Sequence, residues 1–386
     1  MKINYRQLSI IVFMSFIALK FLALPSLLYK DSGNMSFLVA LVLMLVDGIY
    51  VFIILGLMKK SGNRNIYEFM VDCLGKVLAK IILILLLMKY ALVVGNISKG
   101  LEFFVVENLY PEFHWFVFAL PLIMLVGFMT YKGVQNIARV NEMVCWAICI
   151  GLIYIAIKAV SGVDPLAYLP FFHDGVGPLL YSGWHHLSWF GSATFMFMLF
   201  GLVDFSKEKK SQMIRYIIFA ILIVQVLYFI FYGLFDITSA THNHCISDVS
   251  QFSSGQSVID ELSWLVVSLW VVAQAVQLAL FSFCMTRAIK YLFKIESEMI
   301  LSVIVMVYIL GWSYLGEITI GLERIFFTTF ASTVTAITQY LIPIILLIGY
   351  AVNKRKQQNK TYMIKAKTPS ERDPSMALHK HAKEQR

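Results

Sequence analysis

Three charged side chains stand deep inside apolar runs of this chain: Lys20, Asp47 and Lys89. A charge in hydrocarbon is expensive, so its presence there points to function by default. Each lies about twelve residues into its run, and at ~1.5 Å rise per residue the three reach one depth although successive runs point in opposite directions. A Lys20–Asp47 pair would offset the desolvation of both partners, although such a pair need not stabilise a fold. Two roles stay open for these midplane charges. They form a self-satisfied ion pair, or one lysine remains available to a ligand carboxylate or a proton.

Uncharged polar residues extend the set. Asn96, Gln274 and Gln277 lie in apolar runs, and the two glutamines are three apart, hence on one helix face. Such residues serve as interhelical hydrogen-bonding groups or as ligand contacts. Two runs are also interrupted, the first by Lys20 and Pro25, the sixth by Gly191-Ser192. A break frees backbone N–H and C=O groups near the membrane centre, and breaks at corresponding places in two halves of a chain mark a transporter binding site. A metal site is not expected. His242-Asn243-His244-Cys245 is spaced too tightly for a zinc set, and His173, His185 and His186 share only a side. No phosphate loop, Gly-x-Ser-x-Gly or His-Glu-x-x-His occurs, so neither an enzyme nor a cofactor is expected.

The elements that must position these groups are membrane helices. The chain has 386 residues, 59% hydrophobic and 14% charged. A soluble domain has about 45–50% and about 25%. This composition excludes a disordered chain and a disulfide scaffold. Ten apolar runs near the ~20 residues a crossing helix needs are legible: Leu8–Tyr29, Met35–Met58, Val77–Ser98, Phe113–Thr130, Met143–Gly162, Trp184–Gly201, Met213–Thr238, Ser263–Ala288, Met299–Gly316 and Phe330–Val352. The first is too long for a signal peptide and should remain as a span. The expected fold class is an all-α polytopic membrane protein. A long loop after span two matches a long loop after span seven with inverted orientation, which suggests a five-plus-five inverted repeat with helices one and six interrupted.

Lysine and arginine orient it. Twenty-five fall in loops and tails on the side of the N-terminus, against Lys30, Lys99 and Arg324 on the other. Cytoplasmic loops retain these residues, so both termini are expected in the cytoplasm. The same placement accounts for the net charge of +9 without a nucleic-acid partner. Residues 1–352 form the expected ten-helix domain, and 353–386 a basic cytoplasmic tail expected to be disordered. The cysteines, Cys73, Cys145, Cys149, Cys245 and Cys284, read as core thiols plus a free loop thiol at Cys245.

Motifs in order along the chain carry a resemblance. They are Leu24-Pro25 in span one, Ile66-Tyr67-Glu68-Phe69 with Leu74-Gly75-Lys76 before span three, and Tyr131-Lys132-Gly133-Val134-Gln135-Asn136-Ile137-Ala138-Arg139 between spans four and five. Leu169-Pro170-Phe171-Phe172, Gly175-Val176-Gly177-Pro178-Leu179-Leu180 and Ile342-Pro343-Ile344-Ile345-Leu346-Leu347 follow. Together, over about residues 5–355, they resemble the endospore germination permease family, the B subunits of GerA-type germinant receptors.

The resemblance implies a fold of the amino acid/polyamine/organocation superfamily and residence in the spore inner membrane. It implies partnership with an A subunit and a lipoprotein C subunit, and the sensing of a small nutrient, typically an amino acid. A proton-coupled amino-acid permease is the alternative. Two departures stand out. Small residues common in the family's span-one break are replaced by Ile17-Ala18-Leu19-Lys20-Phe21, and an acidic residue that can follow the span-six glycine is replaced by Ser192 and Ala193. The ligand is expected against Ala18, Leu19, Lys20 and Phe21 of span one and Gly191, Ser192 and Ala193 of span six. Asn96, Gln274 and Gln277 would line the sides.

Overall fold

The computed structural model describes residues 2–108, 115–169, 175–242, 244–252, 261–318 and 329–367. Pro170, Phe171, Phe172, His173, Asn243, Arg324 and the tail from 368 lie outside the described residues. The chain is built of α-helices: α1 (Tyr5–Ala18), α2 (Leu24–Ser32), α3 (Ser36–Ser61), α4 (Ile66–Leu74), α5 (Lys76–Asn108), α6 (Trp115–Lys132) and α7 (Val134–Ala159). There follow α8 (Gly177–His185), α9 (Lys210–Phe235), α10 (Cys245–Phe252), α11 (Glu261–Phe293), α12 (Glu298–Ile318), α13 (Ala331–Thr335) and α14 (Ile342–Lys367). Among the described residues, six helical stretches are long and apolar enough to cross a bilayer, and Phe116–Lys132 and Glu298–Tyr314 are shorter apolar helices. The expected spans one and six are both broken into pieces.

Helices hydrophobic on every side are the signature of a lipid environment. Large apolar side chains such as Ile49, Phe128, Met143, Ile150 and Val307 face outward. In water a patch of this kind would be a liability. Inside, small residues let helices approach closely. A Cβ on Gly95 of α5 would lie 2.6 Å from the Trp312 ring of α12.

The side rich in Lys and Arg is tied together by short-range pairs. Arg6 pairs with Glu142 of α7, Lys59 with Glu208, and Arg64 with Asp72. The Glu142 carboxylate beside Arg6 raises that guanidinium further above its usual range. A two-residue parallel ladder joins β1 (Ile3–Asn4) to β2 (Val203–Asp204), so the chain's start is clipped to the segment leaving span six. The Asn4 side chain caps α1 in a reciprocal box with Gln7.

At the far end of the chain α14 continues through Asn353 to Lys367. Lys, Arg and Gln are good helix formers, so a helix already nucleated in the membrane propagates through them. One expectation is corrected: the free thiol of Cys245 does not lie in a loop but opens α10 and is buried, as are Ile246 and Val249 on the same apolar face.

Candidate functional site

Span one breaks because its sequence cannot continue a helix. Pro25 sits in the first turn of α2, where its missing N–H costs nothing, but it cannot donate back to the preceding turn. The chain therefore tightens into a 3₁₀ turn over Leu19–Phe21 and bends before α2. Carbonyls at and beside the break accept from neighbouring helices. Gln274 of α11 donates its amide to the Ala18 oxygen. The Tyr228 hydroxyl of α9 donates to the Lys20 oxygen at 2.6 Å, and that of Tyr232 to the Pro25 oxygen at 3.0 Å.

Span six breaks at Gly191, which adopts the left-handed conformation (φ 87°) that a side chain disfavours. Before it runs α8 and a 3₁₀ turn, Leu187–Trp189; after it a 3₁₀ helix, Ser192–Leu199. The two amides exposed at this restart point at one carboxylate oxygen. Asp47 Oδ2 of α3 accepts from the Gly191 N–H at 2.9 Å and the Ser192 N–H at 3.4 Å. Its other oxygen accepts from Gln339 Nε2 at 3.1 Å and the Tyr340 hydroxyl at 3.0 Å. Consecutive residues can reach the same atom because Ala336–Leu341 forms a π-helical turn, a distortion frequent at functional sites.

The opposite face of the break meets cations. Lys20 donates to the Trp189 carbonyl and lies 4.2 Å over the Phe190 ring. Lys89 donates to the Thr335 hydroxyl at 2.6 Å and the Ser188 carbonyl at 3.3 Å. The Thr194 carbonyl accepts from Tyr90 at 2.8 Å. A Cβ on Gly191 would lie 2.7 Å from Thr335 Cγ2 and 3.5 Å from Lys89 Nζ, so the break fits only a glycine.

Lys20, Asp47 and Lys89 are thus gathered around one break, each about 1–2% exposed. Lys20 and Asp47 nevertheless do not form a direct ion pair; each satisfies a different half of the span-six backbone. Ala18, Leu19, Phe21, Ser192 and Ala193 are buried at the two breaks. Gln277 accepts from the Ser15 hydroxyl at 2.9 Å. Asn96 is half-buried and not hydrogen-bonded to either break. Sequence reasoning missed Tyr90, Tyr228, Tyr232, Thr335, Gln339 and Tyr340. The cluster of Thr335, Thr338 and Gln339 within an apolar run was the available signal.

Asp31 at the end of α2 meets His185 and His186 at the end of α8, three donor atoms within 4.8 Å of one another. This is the group among the described residues with ligand types suited to a metal. His242 pairs separately with Asp248 at 3.4 Å.

Chemically, the span-six break is dipolar. Two amide N–H groups offer a seat for an anion, and two carbonyls a few residues earlier offer a seat for a cation, as half-helix ends do. Asp47 sits in the first seat, Lys20 and Lys89 in the second.

A family model described as spore germination protein, a spore permease, matches residues 2–320. No curated protein sequence matches the chain. Among solved structures it is similar to a manganese transporter of Eremococcus coleocola in complex with an aromatic bis-isothiourea compound, at 12% identity and a TM-score of 0.49 over 90% of this chain and 77% of the other. A histidine-to-alanine mutant of that transporter gives 10% identity and a TM-score of 0.48 over the same shares.

Proposed function

The chain belongs to the spore germination protein family, and from that premise we propose that it is the multi-pass membrane subunit of a nutrient receptor, binding an amino acid at the breaks of spans one and six. The observation carrying this reading is the pairing of a carboxylate with the Gly191 and Ser192 amides and of ammonium groups with the Ser188 and Trp189 carbonyls. An α-amino acid carries both charges on one small molecule. Its carboxylate competes with Asp47 and its ammonium with Lys20 and Lys89. Internal occupancy lowers the apparent affinity by the fraction of molecules in which the seats are free.

Displacing Asp47 also releases Gln339 and Tyr340 of the π-helical turn. That turn leads directly into α14, which runs on to Lys367. Ligand binding therefore biases the helix that runs on to Lys367, to the extent that the ligand prefers the displaced state. The proposed setting is the spore inner membrane with both termini in the cytoplasm, and the receivers are the A subunit and the lipoprotein C subunit.

The test is equilibrium binding of the proteinogenic amino acids to the purified full chain in nanodiscs. At least one should bind saturably, and Asp47→Asn, which weakens the internal competitor, should bind it more tightly. Absence of binding by both proteins across the panel would refute the reading. The alternative, a proton-coupled permease, draws on the same buried charges on spans one, two and three. It requires uptake of labelled amino acid into proteoliposomes that depends on an imposed pH gradient.

A further inference from the structure

We propose that Asp31, His185 and His186 form a divalent-metal site that joins the outer half of span one to the outer half of span six. His185 Nδ1 lies 2.6 Å, and His186 Nε2 2.8 Å, from the same oxygen, Asp31 Oδ2. On a continuous helix, adjacent side chains diverge by about 100° and could not do this. Here α8 ends at His185, and His186 takes a non-helical conformation (φ −101°, ψ 13°), so two neighbouring imidazoles turn to one point. They use opposite ring nitrogens to reach it.

The surroundings hold the turn that carries both rings. The Ser332 hydroxyl donates to the His185 carbonyl at 3.0 Å and accepts from the Ser188 amide at 3.2 Å, clamping the turn from span ten. His186 is nearly buried, with 4% of its side chain exposed, while His185 and Asp31 keep 25% and 20%. An ion can therefore enter from the outer side and keep a coordination position open to water.

Two imidazoles and one carboxylate suit zinc or a neighbouring first-row divalent ion better than calcium or magnesium, which prefer all-oxygen sets. A tetrahedral ion about 2.0–2.2 Å from each donor sets the donors about 3.3 Å apart. The two imidazole–carboxylate separations, 2.6 and 2.8 Å, would open to about that value on binding. The net effect is a cross-link between α2 and α8, the segments that lead into the two breaks.

The experiment uses the full chain in nanodiscs, stripped with chelator and then given Zn²⁺ or Co²⁺ alone. The expected result is one ion retained per chain, with the Kd raised more than about tenfold in Asp31→Asn and in His186→Gln, and unchanged in His242→Ala. His185→Cys guards against a merely unfolded variant. If position 185 ligates the ion, cobalt bound to that variant shows a thiolate charge-transfer band absent from the parent. No retention by the parent, unchanged affinity in Asp31→Asn and His186→Gln, loss in His242→Ala, or cobalt bound by His185→Cys without that band would each overturn the site.

Discussion

The carboxylate of Asp47, on the second span, accepts the amide of Gly191 at 2.9 Å across the break of the sixth. A charge on one helix thus completes the backbone of another, and its removal strands more than itself. Asp47→Ala leaves two amides and two lysines without their anion, and breaking such a buried arrangement typically costs about 3–5 kcal/mol. Asp47→Asn keeps an acceptor of the same shape and should cost less, about 1.5–3 kcal/mol, the range of a hydrogen bond to a charged group. Thermal inactivation in detergent, followed by size-exclusion profile, orders the two. Equal losses would mean that the charge accounts for the whole cost and that the neutral acceptor kept by Asn contributes nothing.

Gly191 meets two obstacles to any side chain. Its φ of 87° is left-handed, which for a non-glycine residue costs roughly 1–2 kcal/mol. A Cβ would also run into Thr335 Cγ2 at 2.7 Å. Gly191→Ala should therefore be unstable, and adding Thr335→Ser, which deletes that methyl but keeps the hydroxyl bound to Lys89, should recover part of the loss. Melting temperatures of the single and double variants check this. A double variant no better than Gly191→Ala would place the whole cost in the backbone conformation.

Tyr228 matters through one oxygen. Its hydroxyl meets the Lys20 carbonyl at 2.6 Å in a region where water cannot substitute. Tyr228→Phe keeps the ring but orphans that carbonyl, a loss of about 1–3 kcal/mol. Tyr232→Phe should cost less, because the Pro25 carbonyl lies in the first turn of α2 and has the helix's own N–H groups as donors. The readout is the half-life of folded protein in detergent; an unchanged half-life would show that the carbonyl finds another donor.

The breaks were legible in sequence because they have local causes: Pro25 removes a donor, and Gly191 permits a left-handed turn. The depth of Lys20, Asp47 and Lys89 was legible from a constant helical rise. What each charge touches was not. Lys20 and Asp47 invite pairing on sequence spacing alone, yet the freed amides and carbonyls of span six compete for them, and those groups become visible only once the break has a geometry. Tyr90, Tyr228 and Tyr232 could not be singled out, since nothing in a sequence separates a tyrosine that buries its ring from one that aims its hydroxyl at a broken helix. Gln339 and Tyr340 converge through a π-helical turn that a regular 3.6-residue repeat does not foresee. Asp31 escaped notice because its histidine partners are more than 150 positions away.

Orientation is open to a direct test, although Cys245 cannot serve as its reporter because it is 2% exposed. The two ends of α9 serve better. A helix from Lys210 to Phe235 extends about 39 Å at ~1.5 Å per residue, enough to cross the ~30 Å hydrocarbon core. Lys207 is exposed just before it, among the basic residues that the charge distribution assigns to the cytoplasm. Ile237 is 77% exposed just after it. In a background with the five native cysteines replaced, Ile237→Cys should react with a membrane-impermeant thiol reagent on intact cells. Lys207→Cys should react only after permeabilisation. Because both reporters flank one helix, their sidedness must be opposite if that helix crosses the membrane. Labelling of both on intact cells would therefore deny the crossing, whereas labelling of Lys207→Cys alone would keep the crossing and invert the protein, placing the N-terminus outside.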